Sequence, residues 1–452
     1  MTGRPERGEQ LELTVERIAF GGDGVARLND GGYVVFVGGV VPGDRVSAVV
    51  TQRKRSYAHA RLLEVLEPGP DRIPAVAEHP GAPWQVLPYE RQLELKQQLV
   101  LEALERLGGL SDYAAEPIEP AVQQWRYRNK LEYSFGRDES GELVCGFHRP
   151  GSWEEIVAFE DCLLASEAGN AIRRRVLDWC RAQGLAAYDR RTGEGLLRNL
   201  VVREGRHTGE LQVRLVTTET NPTRPELDQD DFVRAVPCQG LLWTRSEALG
   251  ETTAVGETAL LAGEPRLPEQ LGGLRLRISP EAFLQTNTEM AERLYGVVGE
   301  FAALQGRERV YDLYCGIGTI ALSLAPRAGE VWGLEIVQEA VADAIAGAAE
   351  NEISGARFFA GDVRLALREL VERAGRPDVL VVDPPRAGLS QKVVRRIIEA
   401  APRRIVYVSC NPSTLAPNAR QLIDAGWRLV RVKPVDMFPQ TPHIECVALL
   451  ER

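Results

Sequence analysis

The amino-acid sequence predicts an α/β protein with a doubly wound parallel sheet in its carboxyl-terminal part, a small β-barrel at its amino terminus and a strand-rich region between them. Three observations lead to this fold class. From about residue 271 onwards, apolar strand-like runs alternate with helical segments, which is typical of doubly wound parallel sheets. The first seventy or so residues are short alternating segments separated by Gly, Asp and Pro, the pattern of a five-stranded barrel. Residues 118–270 alternate as half-buried antiparallel strands do.

Length and composition limit the class of protein. A chain of 452 residues is too long for a single hydrophobic core, and its 44% hydrophobic and 26% charged content suits a globular protein. No apolar run is long enough to span a bilayer, and the amino terminus lacks the apolar stretch of a signal peptide. We therefore expect a cytoplasmic protein with no membrane partner. Seven cysteines, an odd number, indicate free thiols rather than a disulfide framework.

The predicted barrel contains a basic segment, "TQRKRSYAHAR", with one aromatic residue. It is either a solvated hairpin or an RNA contact, and the net charge of −10 leaves room for a local basic stripe. The motifs "GGDGVAR" and "VPGDRV" in the same region resemble a TRAM domain, an oligonucleotide-binding-like barrel attached to RNA-modifying enzymes. This resemblance assigns residues 1–68 to an RNA-binding domain.

A helix is predicted to follow the barrel. The segment "YERQLELKQQLVLEALERLGG" places Leu93, Val100, Leu104 and Leu107 on one face, with Gly108 as the C-cap. In the strand-rich region, "RYRNK" at residues 126–130 combines cations, an aromatic ring and an amide. Such a mixture could hold a phosphate backbone and stack a base, although a surface strand explains it nearly as well.

The segment "DLYCGIGTIA" predicts the cofactor site. Gly316, Gly318 and Ala321 form a G-x-G-x-x-A fingerprint between a strand and a helix, which fits a Rossmann-like site for NAD or for S-adenosyl-L-methionine. Acids close four successive strands, namely Asp312, Glu335, Asp362 and Asp383. A methyl donor needs such acids, because its ribose diol requires a carboxylate acceptor and its ammonium group favours nearby anions. The pattern therefore favours S-adenosyl-L-methionine.

The stretch "VYVSCNP" ends the fifth predicted strand on Cys410. Carbon 5 of a pyrimidine is not nucleophilic until a group adds to carbon 6, and a thiolate adds and leaves readily. The removal of the carbon 5 proton then needs a base, for which Glu445 in "HIECVALL" is the candidate and His443 a poorer one. A buried structural thiol and an edge-strand glutamate remain alternatives for these two residues, and Cys315 is a weaker candidate nucleophile that we expect to pack under the helix.

The motifs "FLQTN", "DLYCGIGT", "DPPRAGL", "YVSCNP" and "HIECVALL" occur in the order seen in RNA 5-methyluridine methyltransferases, and the chain resembles that family over nearly its whole length. The resemblance implies Cys410 as nucleophile and Glu445 as base. It also implies methyl-donor contacts, although some members have Asn at the position of Thr319. These contacts would come from Gln285, Tyr314, Thr319, Glu335, Asp362 and Asp383.

The resemblance also predicts domains and substrate. It implies a central strand-rich RNA-binding domain at 69–92 and 118–270, and a Rossmann-like catalytic domain at 93–117 and 271–452. We expect a monomer acting on 23S rRNA, because bacterial members that act on the tRNA T-loop usually lack the TRAM-like barrel. The alternatives are a tRNA T-loop uridine-5-methyltransferase, a 5-methylcytosine RNA methyltransferase and a non-catalytic RNA-binding protein. Arg386 stands where the 5-methylcytosine enzymes carry a cysteine.

One departure from the family concerns metal. Many relatives hold an iron-sulfur cluster with four cysteines. Here "AVAEHPGAP" places His79 and Ala82 at two of those positions, and Cys162 in "FEDCLL" matches the fourth ligand alone. A cluster normally takes four protein ligands. We therefore expect no iron-sulfur cluster and no metal site.

Overall fold

The computed structural model describes residues 4–28, 32–219, 227–248, 250 and 252–452. Counted over these residues, the strands form four sheets of six, seven, two and eight strands. Among the described helices, none is both long and apolar enough to cross a bilayer.

The first sheet forms the amino-terminal barrel, in the order β1-β5-β6-β4-β3-β2. β1 pairs with β5 at one edge, β2 pairs with β3 at the other, and β1 and β2 follow each other in the chain, so one bent segment closes the sheet. This second short strand is why six strands are described where the sequence predicts five. The strands are β1 Gln10–Thr14, β2 Arg17–Ile18, β3 Gly24–Leu28, β4 Tyr33–Val37, β5 Arg45–Arg53 and β6 Tyr57–Glu67.

Helix α1 (Tyr89–Gly108) links the barrel to the rest of the molecule. Its C-cap is Gly109, with φ at 59°, rather than the predicted Gly108; glycine adopts this left-handed conformation without a Cβ penalty. Leu107 is 56% exposed, so the predicted apolar face is wrong at this position. The buried face instead includes two polar side chains, Gln92 and Lys96, and a pattern of apolar residues alone cannot reveal them.

The second sheet has the order β10-β9-β8-β11-β12-β13-β14, antiparallel except between β12 and β13. Helices α2 and α3 pack on it around Trp179 and Phe232. After a short strand β7 (Ala114–Ala115), the elements are β8 Lys130–Arg137, β9 Leu143–His148, β10 Ile156–Ala158, α2 Glu167–Ala182, β11 Leu197–Glu204, β12 Leu211–Thr217, α3 Gln229–Ala235, β13 Gly240–Arg245 and β14 Glu257–Gly263.

The carboxyl-terminal part begins with an antiparallel hairpin, β15 (Leu267–Leu271) and β16 (Leu274–Ile278), packed on the core of the last sheet. The proposed boundary at 270/271 falls within β15, and the division into domains stays a prediction. The helices are α4 Thr288–Ala302, α5 Thr319–Leu324 with a 3-10 turn at Ala325–Arg327, α6 Gln338–Glu350, α7 Val363–Ala374, α8 Gln391–Ala400 and α9 Pro412–Asp424. The strands are β17 Arg309–Leu313, β18 Glu330–Glu335, β19 Ala356–Ala360, β20 Val379–Val382, β21 Arg404–Ser409, β22 Arg428–Val435 and β23 Glu445–Glu451.

These strands confirm the predicted doubly wound sheet, in the order β19-β18-β17-β20-β21-β23-β22-β7. The strands from β19 to β21 are parallel, and β23 runs antiparallel between β21 and β22. Helices cover both faces, which explains the uninterrupted apolar runs of β20 and β21. The strand order reverses between β17 and β20, and the crevice at their carboxyl ends is where such sheets bind ligands.

The loop 436–444, between β22 and β23, is held by a buried ion pair. Lys96 Nζ of α1 lies 2.5 Å from Asp436 Oδ1, and both side chains are fully buried. Lys96 also donates to Phe438 O at 2.9 Å, and Tyr89 OH donates to Asp436 Oδ2 at 2.8 Å. The hydroxyl of Tyr89 in turn accepts from the Ala121 amide at 2.7 Å. Every charge in this pair therefore has several hydrogen-bond partners, as burial requires.

The second half of the same loop contacts α1 and the barrel. Gln92 donates from Nε2 to Gln440 Oε1 at 2.8 Å and accepts the Gln440 amide at 2.9 Å. Gln440 has φ at 66°, so this bidentate contact holds an uncommon backbone conformation. On the barrel side, Gly22 lies against Pro442 so closely that a Cβ on Gly22 would be 2.5 Å from the proline ring. Loop 436–444 is thus fixed from two directions.

We predict that Lys96→Met strongly destabilises the protein. The substitution leaves Asp436 buried without its cation, which costs about 3–5 kcal/mol of unfolding free energy, measurable by urea denaturation. The matched control is Arg106→Met on the same helix, because Arg106 pairs with Glu102 at 3.5 Å while 61% exposed, and such a pair contributes no more than about 1 kcal/mol. Equal losses in the two variants would contradict the role assigned to the buried pair.

Candidate active site

The carboxyl ends of four parallel strands converge at one edge of the last sheet. Asp312 lies at the end of β17 and Glu335 at the end of β18, while Asp383 and Cys410 directly follow β20 and β21. Because β17, β18, β20 and β21 are neighbours in the sheet, the structure brings these predicted site residues together. The crevice at this edge is the candidate active site.

Cys410 and Glu445 lie close to each other. In the antiparallel pair of β21 and β23, Ser409 is in register with Cys446. Cys410 directly follows Ser409 and Glu445 directly precedes Cys446, so both residues flank this last pair at the same edge of the sheet. The two side chains are close enough to interact, because Glu445 raises the pKa of the Cys410 thiol. Glu445 is 4% exposed, whereas Cys410 is partly exposed. A thiol open to the crevice therefore lies close to a buried carboxyl group.

The turn that carries Cys410 is held by hydrogen bonds on both sides. Ser409 Oγ accepts the Asn411 amide at 3.1 Å, and Asn411 caps α9 by accepting the Ser413 amide at 3.0 Å. Asn411 Nδ2 also donates to Arg386 O at 2.9 Å, which ties this turn to the loop after β20. The thiol is thus positioned beside the Arg386 segment.

Burial and the nearby acids disfavour the ionised forms of Cys410 and Glu445. Burial, reinforced by Glu445, raises the pKa of the Cys410 thiol to about 11, and the Arg386 cation acts in the opposite direction. Burial together with Asp383 raises the pKa of Glu445 well above its usual range. Burial lowers the pKa of His443 to about 4, so this imidazole is neutral at physiological pH. Arg386 is the nearby cation that favours a thiolate.

The loop after β17 forms a cradle for a ligand. Tyr314 and Gly316 have φ at 63° and 54°, and a Cβ built on Gly316 would meet no atom within 4 Å, so this backbone borders open space. Glu335 accepts the Gly316 amide at 3.1 Å and the Val337 amide at 2.9 Å. Cys315 is buried next to Gly333, as expected for a packing residue.

Two acids of the cradle have unusual ionisation. Burial and the charge of Asp383 raise the pKa of Asp312 to about 8, and burial raises the pKa of Asp383 to about 7. Asp312 Oδ2 accepts the Ala321 amide at 3.0 Å, but its buried Oδ1 has no hydrogen-bond partner. A ligand with cationic donor groups would satisfy this oxygen, so these residues fit S-adenosyl-L-methionine.

The other three residues predicted to contact the methyl donor each have a hydrogen-bond partner within the protein. Gln285 is buried between β16 and α4, where its backbone carbonyl oxygen accepts a hydrogen bond from Asn129 Nδ2 at 2.9 Å. Thr319 Oγ1 lies 2.9 Å from Tyr295 OH. Asp362 caps α7 and accepts Arg364 Nε at 2.8 Å, and this hydrogen bond lowers the pKa of Asp362. Its carboxylate is therefore already paired.

Sequence reasoning missed Tyr295. Burial raises its pKa, and Asp383, Asp312 and Glu445 are close enough to add to this effect. It therefore stands among the acids of the crevice, on α4. Its only sequence signal is helical periodicity, which equally predicts a core residue.

His79 and Cys162, which stand where relatives carry iron-sulfur ligands, lie in a buried aromatic cluster. His79 Nε2 lies 3.3 Å from Cys162 Sγ, and the His79 ring stacks on Phe159 with centroids 4.9 Å apart. Within the described ranges, no group of three or more His, Cys, Asp or Glu side chains is arranged to hold a metal ion. The lack of a cluster stays a prediction.

Comparison with known proteins gives the family. A family model of tRNA (uracil-5-)-methyltransferases matches residues 270–452, and a TRAM domain model matches residues 4–63. An RNA methyltransferase of Bacteroides thetaiotaomicron is 39% identical to this chain, over 95% of this chain and 99% of its own length. An RNA methyltransferase of Gloeobacter violaceus is also 39% identical, over 100% of both chains. The chain belongs to the RNA (uracil-5-)-methyltransferase family. It is an S-adenosyl-L-methionine-dependent enzyme that acts on RNA, which confirms the predicted reaction class and cofactor.

A solved structure of an enzyme named as a uracil methyltransferase also matches this chain. The Pyrococcus abyssi tRNA (uracil-54, C5)-methyltransferase in complex with S-adenosyl-L-homocysteine matches with a TM-score of 0.77 and 27% identity, over 97% of this chain and 100% of that chain. Because nearly the whole chain is covered, the match includes most of the amino-terminal barrel. The methyltransferase therefore shares its overall fold with that enzyme over nearly its whole length.

We predict that the charges facing Cys410 control its alkylation by iodoacetamide. At an alkaline pH at which Glu445 is ionised, Glu445→Gln removes a charge that raises the thiol pKa, so more thiolate is present and alkylation should be faster. Arg386→Gln removes the opposing cation and should slow it. Peptide mass spectrometry measures the rates, and Cys238 is an internal control because burial raises its pKa to about 11 without these two groups. Unchanged Cys410 rates in both variants would contradict the placement of the charges.

Proposed function

We propose that this methyltransferase forms 5-methyluridine in 23S rRNA through a covalent bond between Cys410 and carbon 6 of uracil, with Glu445 as the base. The observation that supports the mechanism is the register of β21 and β23, whose last pair, Ser409 and Cys446, is flanked directly by the partly exposed Cys410 and the buried Glu445. A nucleophile and a base at one edge of the sheet can act on one bound ring from neighbouring positions.

The proposed reaction begins at the thiol. Cys410 gives its proton to water, favoured by the Arg386 cation, and the thiolate sulfur bonds to carbon 6. The electrons of the 5,6 double bond then make carbon 5 nucleophilic. When bound, S-adenosyl-L-methionine supplies the methyl group that carbon 5 takes. The ionised Glu445 removes the proton from carbon 5, the double bond re-forms, and Cys410 leaves as a thiolate.

The ionisation of Glu445 suits the last step. A base is most effective when its pKa lies near the working pH, and burial moves the pKa of this carboxyl upward from its usual range. The Arg386 cation acts against this shift, which helps the ionised form to exist. Asp383 follows the strand between β17 and β21 and is close enough to raise the pKa of both Asp312 and Glu445. We propose that it contacts the methyl donor with Gln285, Tyr314, Thr319, Glu335 and Asp362.

The amino-terminal barrel supports rRNA as substrate. The full-length relatives from Bacteroides and Gloeobacter are bacterial, and bacterial tRNA T-loop enzymes of this family usually lack the barrel. Its segment at Arg53, Lys54 and Arg55 is exposed, so these cations can reach phosphates. The contact of Gly22 with Pro442 places the barrel next to the loop that leads to Glu445. We further propose a cytoplasmic monomer.

A tRNA is the second candidate substrate. The Pyrococcus abyssi tRNA (uracil-54, C5)-methyltransferase matches over its whole length, so an enzyme with this fold can take tRNA as its substrate.

We predict that 23S rRNA from a deletion strain is methylated by the purified enzyme and that tRNA from the same strain is not. Radioactive S-adenosyl-L-methionine measures the transfer, and nuclease digestion with mass spectrometry identifies 5-methyluridine. A Cys410→Ala variant is the control for a contaminating activity. Methylation of tRNA alone would overturn the rRNA assignment and leave the reaction unaffected.

We predict that the adduct forms at Cys410 and depends on Glu445 for its release. RNA containing 5-fluorouridine should trap a complex stable to denaturing gels, because fluorine cannot leave as a proton does, and the RNA-linked peptide should contain Cys410. With ordinary RNA, Glu445→Gln should accumulate the same complex, since the carbon 5 proton stays in place. Normal turnover in Glu445→Gln would assign the base to another residue, and a linked peptide without Cys410 would reject the nucleophile.

A further inference from the structure

An exposed tryptophan lies on the second sheet, outside the crevice. Trp153, between β9 and β10, is 52% exposed. The guanidinium carbons of Arg190 and Arg191 lie 6.0 and 5.6 Å from its ring centroid. Cation-π contact explains this arrangement in part. The two arginines do not cover the ring, because about half of the surface of Trp153 remains exposed to solvent.

Two ordered turns present these side chains. Ser152 Oγ accepts the Glu155 amide at 3.1 Å, and the backbone of Arg149 closes the turn through a 2.8 Å bond to Glu155 O. In the second turn, Asp189 Oδ1 accepts the Arg191 amide at 2.7 Å. The two turns are more than thirty positions apart in the chain, yet they converge on one cavity of about 230 Å³.

This cavity adjoins a second one that leads towards the active site. The second cavity, of about 450 Å³, is lined by Arg128 and Thr286, and the two cavities share His148. Thr286 directly follows Gln285, and β8 connects the two regions. Its eight residues span roughly 23 Å at about 3.3 Å per residue. The tryptophan cavity therefore neighbours a cavity whose Arg128 is close enough to His443 to lower the pKa of that imidazole.

Together, the two cavities are lined by more cations than carboxylates, although the chain as a whole is acidic. Five cations and three carboxylates line the two cavities, whereas the whole chain has a net charge of −10. Two of the carboxylates, Glu132 and Glu154, pair with Lys130 and Arg191. The lining cations are Arg128, Lys130, Arg137, Arg190 and Arg191. This balance complements a phosphate backbone.

We propose that Trp153, Arg190 and Arg191 form a stacking site for one unpaired nucleotide of the RNA substrate. Single-stranded RNA is recognised by stacking bases on aromatic rings and on guanidinium planes, with cations along the backbone, and both kinds of surface meet at this cavity. The site anchors the RNA at a distance from the reacting uridine. It requires only that the enzyme binds RNA, and is independent of the choice between rRNA and tRNA and of the Cys410 mechanism.

The test compares full-length Trp153→Ala, Trp153→Phe and wild-type enzyme. The probe is a short oligouridine with one 2-aminopurine, whose fluorescence reports stacking and whose anisotropy reports binding. We expect Trp153→Ala to bind roughly 5- to 160-fold more weakly, as for the loss of one stacked base, and Trp153→Phe to keep most of the affinity because a ring face remains. The quenching of 2-aminopurine should be smaller in Trp153→Ala.

Two controls separate stacking from other effects. Ile345→Ala removes a comparably exposed apolar side chain on α6, 53% exposed, and should bind as the wild type does. Arg190→Lys with Arg191→Lys keeps the charge and removes the planar groups, so its affinity should fall without a change in the salt slope. With methylatable RNA, Trp153→Ala should raise KM and leave kcat unchanged. Wild-type affinity in Trp153→Ala, or a loss in kcat alone, would overturn the proposal.

Discussion

The buried ion pair between Lys96 and Asp436 is the interaction on which the active site depends. Two charges removed from water are stable only when each is fully paired, and here α1 supplies one charge while the loop between the last two strands supplies the other. That loop leads directly into Glu445. The position of the proposed base is therefore set by a helix some 340 positions earlier in the chain, and the barrel contact at Pro442 adds a second constraint.

The acids at the strand ends impose a second constraint of electrostatic origin. With pKa values of about 8 and about 7, Asp312 and Asp383 are partly protonated near neutral pH. A cationic ligand favours their ionised forms, so by linkage its affinity should rise as pH increases through this range. The raised pKa values and the orphaned Asp312 oxygen have the same cause, which is burial without a cation. The crevice is thus shaped for a positively charged donor.

The sequence predicted the features that depend on residues close together in the chain. Apolar runs that end on an acid or a thiol marked the strand ends, so Asp312, Glu335, Asp383 and Cys410 were found together. Contacts between distant segments have no such signal. Lys96 and Gln92 interrupt the apolar face of α1 for partners in loop 436–444. The Trp153 cavity also joins two separate turns, which periodicity cannot bring together.

The antiparallel direction of β23 is what makes the proposed chemistry possible. The four parallel strands β17, β18, β20 and β21 all end at one edge of the sheet, and Cys410 is there because it follows β21. Glu445 is the first residue of β23. In a parallel strand, a first residue would lie at the opposite edge, about the length of a strand away. Because β23 runs in the reverse direction beside β21, its first residue lies at the carboxyl edge. The nucleophile at the end of one strand and the base at the beginning of another can therefore face the same uracil.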